Sequence, residues 1–130
     1  MPAAPPTRPA LRARYERRRE AVVRVAAAEF AARGYHATTM EHLFLATGLA
    51  AGGLYHYIGS KQNLLVQIFG QLMDPLLERA GEIEAGDEDA ETQLRALVRA
   101  WPAHIETHLD HMAVFAQERH AIEHPPGWEQ

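Results

Sequence analysis

Residues 38–61 read TTMEHLFLATGLAAGGLYHYIGSK. A short apolar pattern, Met40, Leu43, Phe44 and Ala46, stops at Thr47-Gly48. A second pattern, Leu54, Tyr55 and Ile58, begins a few residues later and stops at Gly59. Two short helices about a tight glycine-containing turn are the pattern of a helix-turn-helix, whose second helix can enter a DNA major groove. Ordinary helical hairpins share that pattern, so local geometry leaves both readings open. Thr38 and Glu41 fit a capping box for the first helix. Gly48 stands where a left-handed residue is wanted at a helix end. Leu49 can plug the space between the helices, and Ser60 can cap the helix that opens with Lys61.

Working outward, the N-terminal side is basic. MPAAPPTRPA holds four of the eight prolines and reads as a disordered arm over residues 1–10. Arg8, Arg12, Arg14 and Arg17-Arg18-Arg19 follow, and such an arm can reach phosphates or the minor groove. A first helix is predicted from near Leu11–Glu16 to Arg33, with Val22, Val23, Ala26, Ala27, Phe30 and Ala31 on one stripe. Residues 1–61 carry 9 Lys+Arg against 4 Asp+Glu, whereas residues 62–130 carry 4 against 13. A front of +5 and a rear of −9 suit a protein that presents one end to a polyanion.

On the C-terminal side a fourth helix starts at Lys61. Leu64, Leu65, Ile68, Phe69, Leu72, Met73, Leu76 and Leu77 hold its period, and Pro75 predicts a kink or a restart near Asp74. Residues 85–89 form a polar break. A fifth helix carries Leu94, Leu97, Val98, Trp101, Ile105 and Leu109, with a bend expected at Pro102. A sixth carries Met112, Val114, Phe115 and Ile122 and ends before Pro125-Pro126. His104, His108 and His111 share one face, as do His120 and His124, a spacing that a zinc site would need, although exposed histidine pairs on acidic helices are common. No cysteine is present, Ser60 is the only serine, and no nucleotide-loop spacing occurs, so no catalytic or cofactor-binding constellation emerges. No apolar run approaches the roughly 20 residues that span a bilayer, and a cytoplasmic protein is the expectation.

Residues Arg19 to Leu65 resemble the N-terminal domain of the tetracycline-repressor (TetR) family of bacterial transcription regulators. The resemblance rests on Ala26, Ala27 and Phe30, then Gly34-Tyr35, Thr38-Thr39, Gly48-Leu49, Leu54-Tyr55-His56-Tyr57, Ser60-Lys61 and Leu64-Leu65. It implies an all-α protein with a three-helix helix-turn-helix DNA-binding domain over residues 11–65. Helix four would join it to a truncated helical ligand-binding or regulatory region over 66–130. The implied function is a ligand-responsive repressor rather than an enzyme, with double-stranded DNA as partner. A homodimer is the family's habit, but too few residues come after helix four to complete the usual dimer helices.

The resemblance places DNA contacts at Thr38, Thr39, Ala51, Gly52, Gly53, Tyr55, His56, Tyr57 and Lys61. Two departures stand out. Ala50 replaces the usual serine cap, and Ala51-Gly52-Gly53 fill a leading turn that often bears basic or hydroxyl side chains. Alanine can touch a thymine methyl and glycine permits close backbone approach, so phosphate contacts and DNA shape should carry more of the recognition. Leu72, Trp101, Ile105, Met112 and Phe115 are the expected lining of a pocket for a small apolar or acyl-CoA-type ligand. The alternative is a helical interaction protein that kept the fold, lost operator binding and heterodimerises or binds metal.

Overall fold

A computed structural model describes residues 7–123, with side chains described through Glu118. These residues form six helices: α1 (Pro9–Arg33), α2 (Met40–Thr47), α3 (Ala51–Ile58), α4 (Lys61–Ala85), α5 (Ala90–Glu106) and α6 (Leu109–Glu123). Helix α1 starts earlier than the expected arm boundary. Pro9 sits in its first turn, where a missing N–H costs nothing, so the arginines from Arg12 to Arg19 ride on a helix rather than a loose arm. Its buried residues Tyr15, Val23, Ala26, Ala27 and Phe30 follow helical spacing, and Gly34 ends it at φ +90°.

The capping box of α2 lies one residue later than expected. Thr39 is the N-cap: its hydroxyl accepts from the His42 amide at 3.2 Å, and His42 Nδ1 accepts from the Thr39 amide at 3.0 Å. Thr38 is instead fully buried, and its hydroxyl donates to the Gly34 carbonyl at 2.7 Å. A buried hydroxyl must find a partner inside the protein, so Thr38 closes the α1–α2 loop. Gly48 ends α2 in the left-handed conformation, φ +71°. Ser60 caps α4 as expected, accepting from the Asn63 amide at 3.0 Å.

One core serves both the helix-turn-helix and the later helices. Phe30, Leu43, Leu54, Ile58, Leu64, Ile68 and Val114 are all fully buried in one cluster. Residue 65, the expected boundary, lies inside α4, and Val114 of α6 packs into the core of the N-terminal helices. Helix α4 continues through Pro75 and α5 through Pro102 without a restart. The break in helical φ/ψ falls instead at Glu118 of α6. Helix α5 buries no residue fully, and Leu94 and Val98 stay exposed. Among the described residues no helix is long and apolar enough to cross a membrane.

Candidate nucleic-acid interface

The turn from Gly48 to Ala50 delivers α3 with one face inward and one outward. Leu54 and Ile58 go to the core, while Ala51, Gly52, Tyr55 and His56 face out. The helix starts at Ala51, so both glycines are helical despite their low propensity. Ala50 is the N-cap and supplies no side-chain hydrogen bond. A Cβ built on Gly52 would meet nothing within 4 Å, whereas one on Gly53 would touch Leu49 at 3.8 Å. The leading turn of α3 is thus bare and open, as wide an approach for a nucleic-acid backbone as a helix can offer.

Ala50→Ser restores the missing acceptor. It is expected to stabilise the fold by about 1 kcal/mol, a rise of a few degrees in thermal midpoint. Thermal unfolding of the two proteins measures it directly.

The expected contact residues divide by environment. Tyr55 is 42% exposed and lies edge-on to Phe44, with ring centroids 6.5 Å apart. Thr39 is exposed at the start of α2. Tyr57 is half-buried and turns back onto α1, its ring 5.3 Å from that of Tyr15. His56 meets the same tyrosine edge-on at 5.5 Å. Lys61 sends its ammonium over the Tyr35 ring at 4.6 Å from the centroid, a cation–π contact that holds the charge at the start of α4. Thr38, being buried, is withdrawn from the surface.

Tyr15 is the residue that pattern reading missed. It lies amid arginines, two turns ahead of the apolar residues that mark the stripe of α1, and it is 9% exposed. Burial pushes its phenol pKa up, with Glu16 adding to the effect. It pins α3 to α1 and brings the basic start of α1 beside α3. Arg12 and Arg18, three residues either side, share its face, and Arg18 also borders the small hollow formed by Val22, Thr47 and Leu49. Neither arginine makes an ion pair among the described residues, whereas Arg19 pairs with Glu16 and Arg33 with Glu29.

The expected ligand pocket is distributed differently. Leu72 is core at 2% exposure, and Trp101 is 43% exposed on α5. Ile105, Met112 and Phe115 are half-buried, and Phe115 packs edge-on against Phe69 at 5.6 Å. None of the five lines the larger cavity, an open cleft of about 830 Å³ between α1, α4 and α5. That cleft is bordered by Arg24, Phe69, Met73, Asp74, Glu78 and His104, among others. His104 and His108 stack at 4.1 Å between ring centroids, but no three His, Asp or Glu side chains among the described residues are placed to hold a metal ion. The side chains of Ile122, His120 and His124 lie outside the described residues.

Comparisons with known proteins agree with this geometry. The sequence profile of the bacterial regulatory proteins of the tetR family matches residues 22–68. The HTH-type transcriptional repressor KstR2 of Rhodococcus jostii (strain RHA1) is 33% identical over 101 residues, 78% of this chain and 50% of the relative. The protein of the same name from Mycobacterium tuberculosis (strain ATCC 25618 / H37Rv) is 28% identical over 109 residues, 84% of this chain and 54% of the relative. A crystal structure of the probable transcriptional regulatory protein RHA5900 superposes with a TM-score of 0.67 at 31% identity, covering 80% of this chain and 56% of the other. The chain spans about half the length of the curated relatives it matches.

Proposed function

The chain's residues 22–68 belong to the tetR family of bacterial regulatory proteins, and from that premise we propose that it is a DNA-binding transcriptional regulator, acting as a repressor. Its partner is double-stranded DNA, read by α3. The observation that carries this is the outward face of α3, where Tyr55 and an unobstructed Gly52 stand between Thr39 and Lys61. The start of α3 has no side chain able to pair with a base edge. Recognition therefore leans on phosphate contacts and groove shape, with Tyr55 and His56 as the direct readers. Thr39, Lys61, Arg12 and Arg18 supply the backbone contacts, and Tyr57 acts by holding α3 in place.

Two-fold DNA sites read by this kind of helix need two heads at fixed spacing, so the functional unit is a homodimer. A small effector of acyl-CoA type is assigned to the cleft that Phe69 and Met73 border together with Arg19 and Arg24; the five residues first expected do not line that cleft. The rival reading, an interaction protein that lost operator binding, is favoured by the bare turn of α3. A fully formed α3 with an open face and flanking cations supports DNA reading instead.

The test separates two kinds of contact. Lys61→Ala is expected to weaken binding to a preferred duplex and to random duplex by the same factor. Tyr55→Ala is expected to lower the ratio of the two affinities, by about tenfold for a lost base-edge contact of about 1–3 kcal/mol. Selection from a random duplex pool followed by titration gives both numbers. No enrichment of any sequence would support the rival.

A further inference from the structure

A polar seam borders the open cleft where α1, α4, α5 and α6 meet and reaches inward to the buried His111. Gln71 of α4 is its centre. Its amide nitrogen donates to the Glu20 carbonyl of α1 at 3.0 Å, which fixes its amide oxygen toward His111 of α6. His111 Nε2 then donates to that oxygen at 2.8 Å. Gln71 therefore ties α1 to α6 through a single side chain. The seam continues through α5. The His108 ring lies 4.9 Å from His111 and 4.1 Å from His104. His104 Nε2 donates to the Leu72 carbonyl at 2.7 Å, and His108 Nδ1 donates to the His104 carbonyl at 2.9 Å. The Leu72 carbonyl thus accepts from a side chain of α5 beside the Gln71 carbonyl, which lacks its helical donor because Pro75 stands four residues on.

His111 is 4% exposed, and its Nδ1 has no protein partner among the described residues. With Nε2 carrying the proton, Nδ1 holds a lone pair. A second proton there would place a cation inside a core, facing Arg24 of α1 and the imidazoles of His104 and His108. The acids near the seam are Asp110 on α6, and Glu20, Asp74 and Glu78 around the adjoining cleft. None makes a hydrogen bond to His111 among the described residues. We propose that Gln71 is a positioning residue that clamps α6 onto α1 and α4 through His111, and that acid opens this clamp and weakens DNA binding. The DNA part rests on the function proposed above; the clamp itself does not.

Burial, then His108 and Arg24, push the His111 pKa down to about 4, and the opposing effect of Asp110 is smaller. A freed His111 returns to the ordinary value near 6.5. The open form then binds more protons between those values, so lowering pH favours opening. From pH 7.5 to 5.5 the opening equilibrium should rise about tenfold.

The chain has no cysteine, which gives a clean readout without DNA. Val114→Cys buries a thiol in the core on α6, and Ala116→Cys on the same helix is an exposed reference. The ratio of their labelling rates by a thiol reagent follows opening. It should rise about tenfold from pH 7.5 to 5.5 and stay flat when His111→Gln is added, because glutamine keeps a donor for Gln71 and cannot titrate. Duplex affinity should fall over the same range only in the chain that keeps His111. Gln71→Met, which removes both arms at similar volume, should raise the labelling ratio already at pH 7.5. A flat ratio in the chain that keeps His111, an unchanged slope with His111→Gln, or a closed Gln71→Met protein would each overturn the clamp. Normal opening with no duplex binding at either pH would sink the DNA reading alone.

Discussion

Raising salt from about 50 to about 200 mM is expected to cost this protein about a hundredfold in affinity for duplex DNA, for about four neutralised phosphates at a log–log slope near −0.9 each. Three of the four are the backbone-contacting cations proposed above, Arg12, Arg18 and Lys61, and Arg14, two residues from Arg12 on α1, is the fourth. None of them makes an ion pair among the described residues, unlike Arg19 and Arg33. The asymmetry of the chain keeps the effect at one end, since the rear half would repel a polyanion. Arg12→Gln with Arg18→Gln should reduce the slope by about two, while Arg33→Gln, whose charge is already paired with Glu29, should leave it close to unchanged. Equilibrium titration at four or five salt concentrations provides the slopes.

The second large effect is on stability. Phe30→Ala is expected to destabilise the fold by about 3–5 kcal/mol, the sum of lost transfer energy and an unfilled cavity. Phe30 is fully buried, and its ring meets Tyr35 edge-on at 5.2 Å. Tyr35 in turn lies under Lys61, so the substitution should also loosen the charge proposed to meet DNA. Leu45→Ala is the control: Leu45 is 84% exposed, and a change there should stay within about 0.5 kcal/mol. Urea unfolding of both variants separates them, and equal midpoints would contradict the core described for α1 and α2.

The helices were readable because burial stamps a period on the sequence. The stripe from Val23 to Phe30 and the one from Leu64 to Leu76 needed no tertiary knowledge. Where pattern reading slipped, a contact between distant elements decided the outcome. Thr38 and Thr39 are equally good caps by residue type; only the packing of Thr38 under α1 tells which one is free. Tyr15 looks like a surface residue among arginines, and its role comes from the rings of His56 and Tyr57 more than 40 positions away. Pro75 left a kink and a restart equally open to pattern reading, and α4 runs through it as one helix. The five residues expected around a ligand share apolar stripes, but stripes do not say which faces leave a gap between them. For the contact set of α3 the alternation of inward and outward positions was legible, and the diversion of Tyr57 onto α1 was not.

The central claim is that the face from Thr39 to Lys61 meets duplex DNA. Amide hydrogen exchange of the full chain, with and without a selected duplex at low salt, tests it most directly. Slowed exchange at the start of α2, through α3 and at the first turn of α4, with α5 unchanged, is the predicted result. Slowing confined to α5, or no slowing anywhere at duplex concentrations that saturate binding, would contradict it.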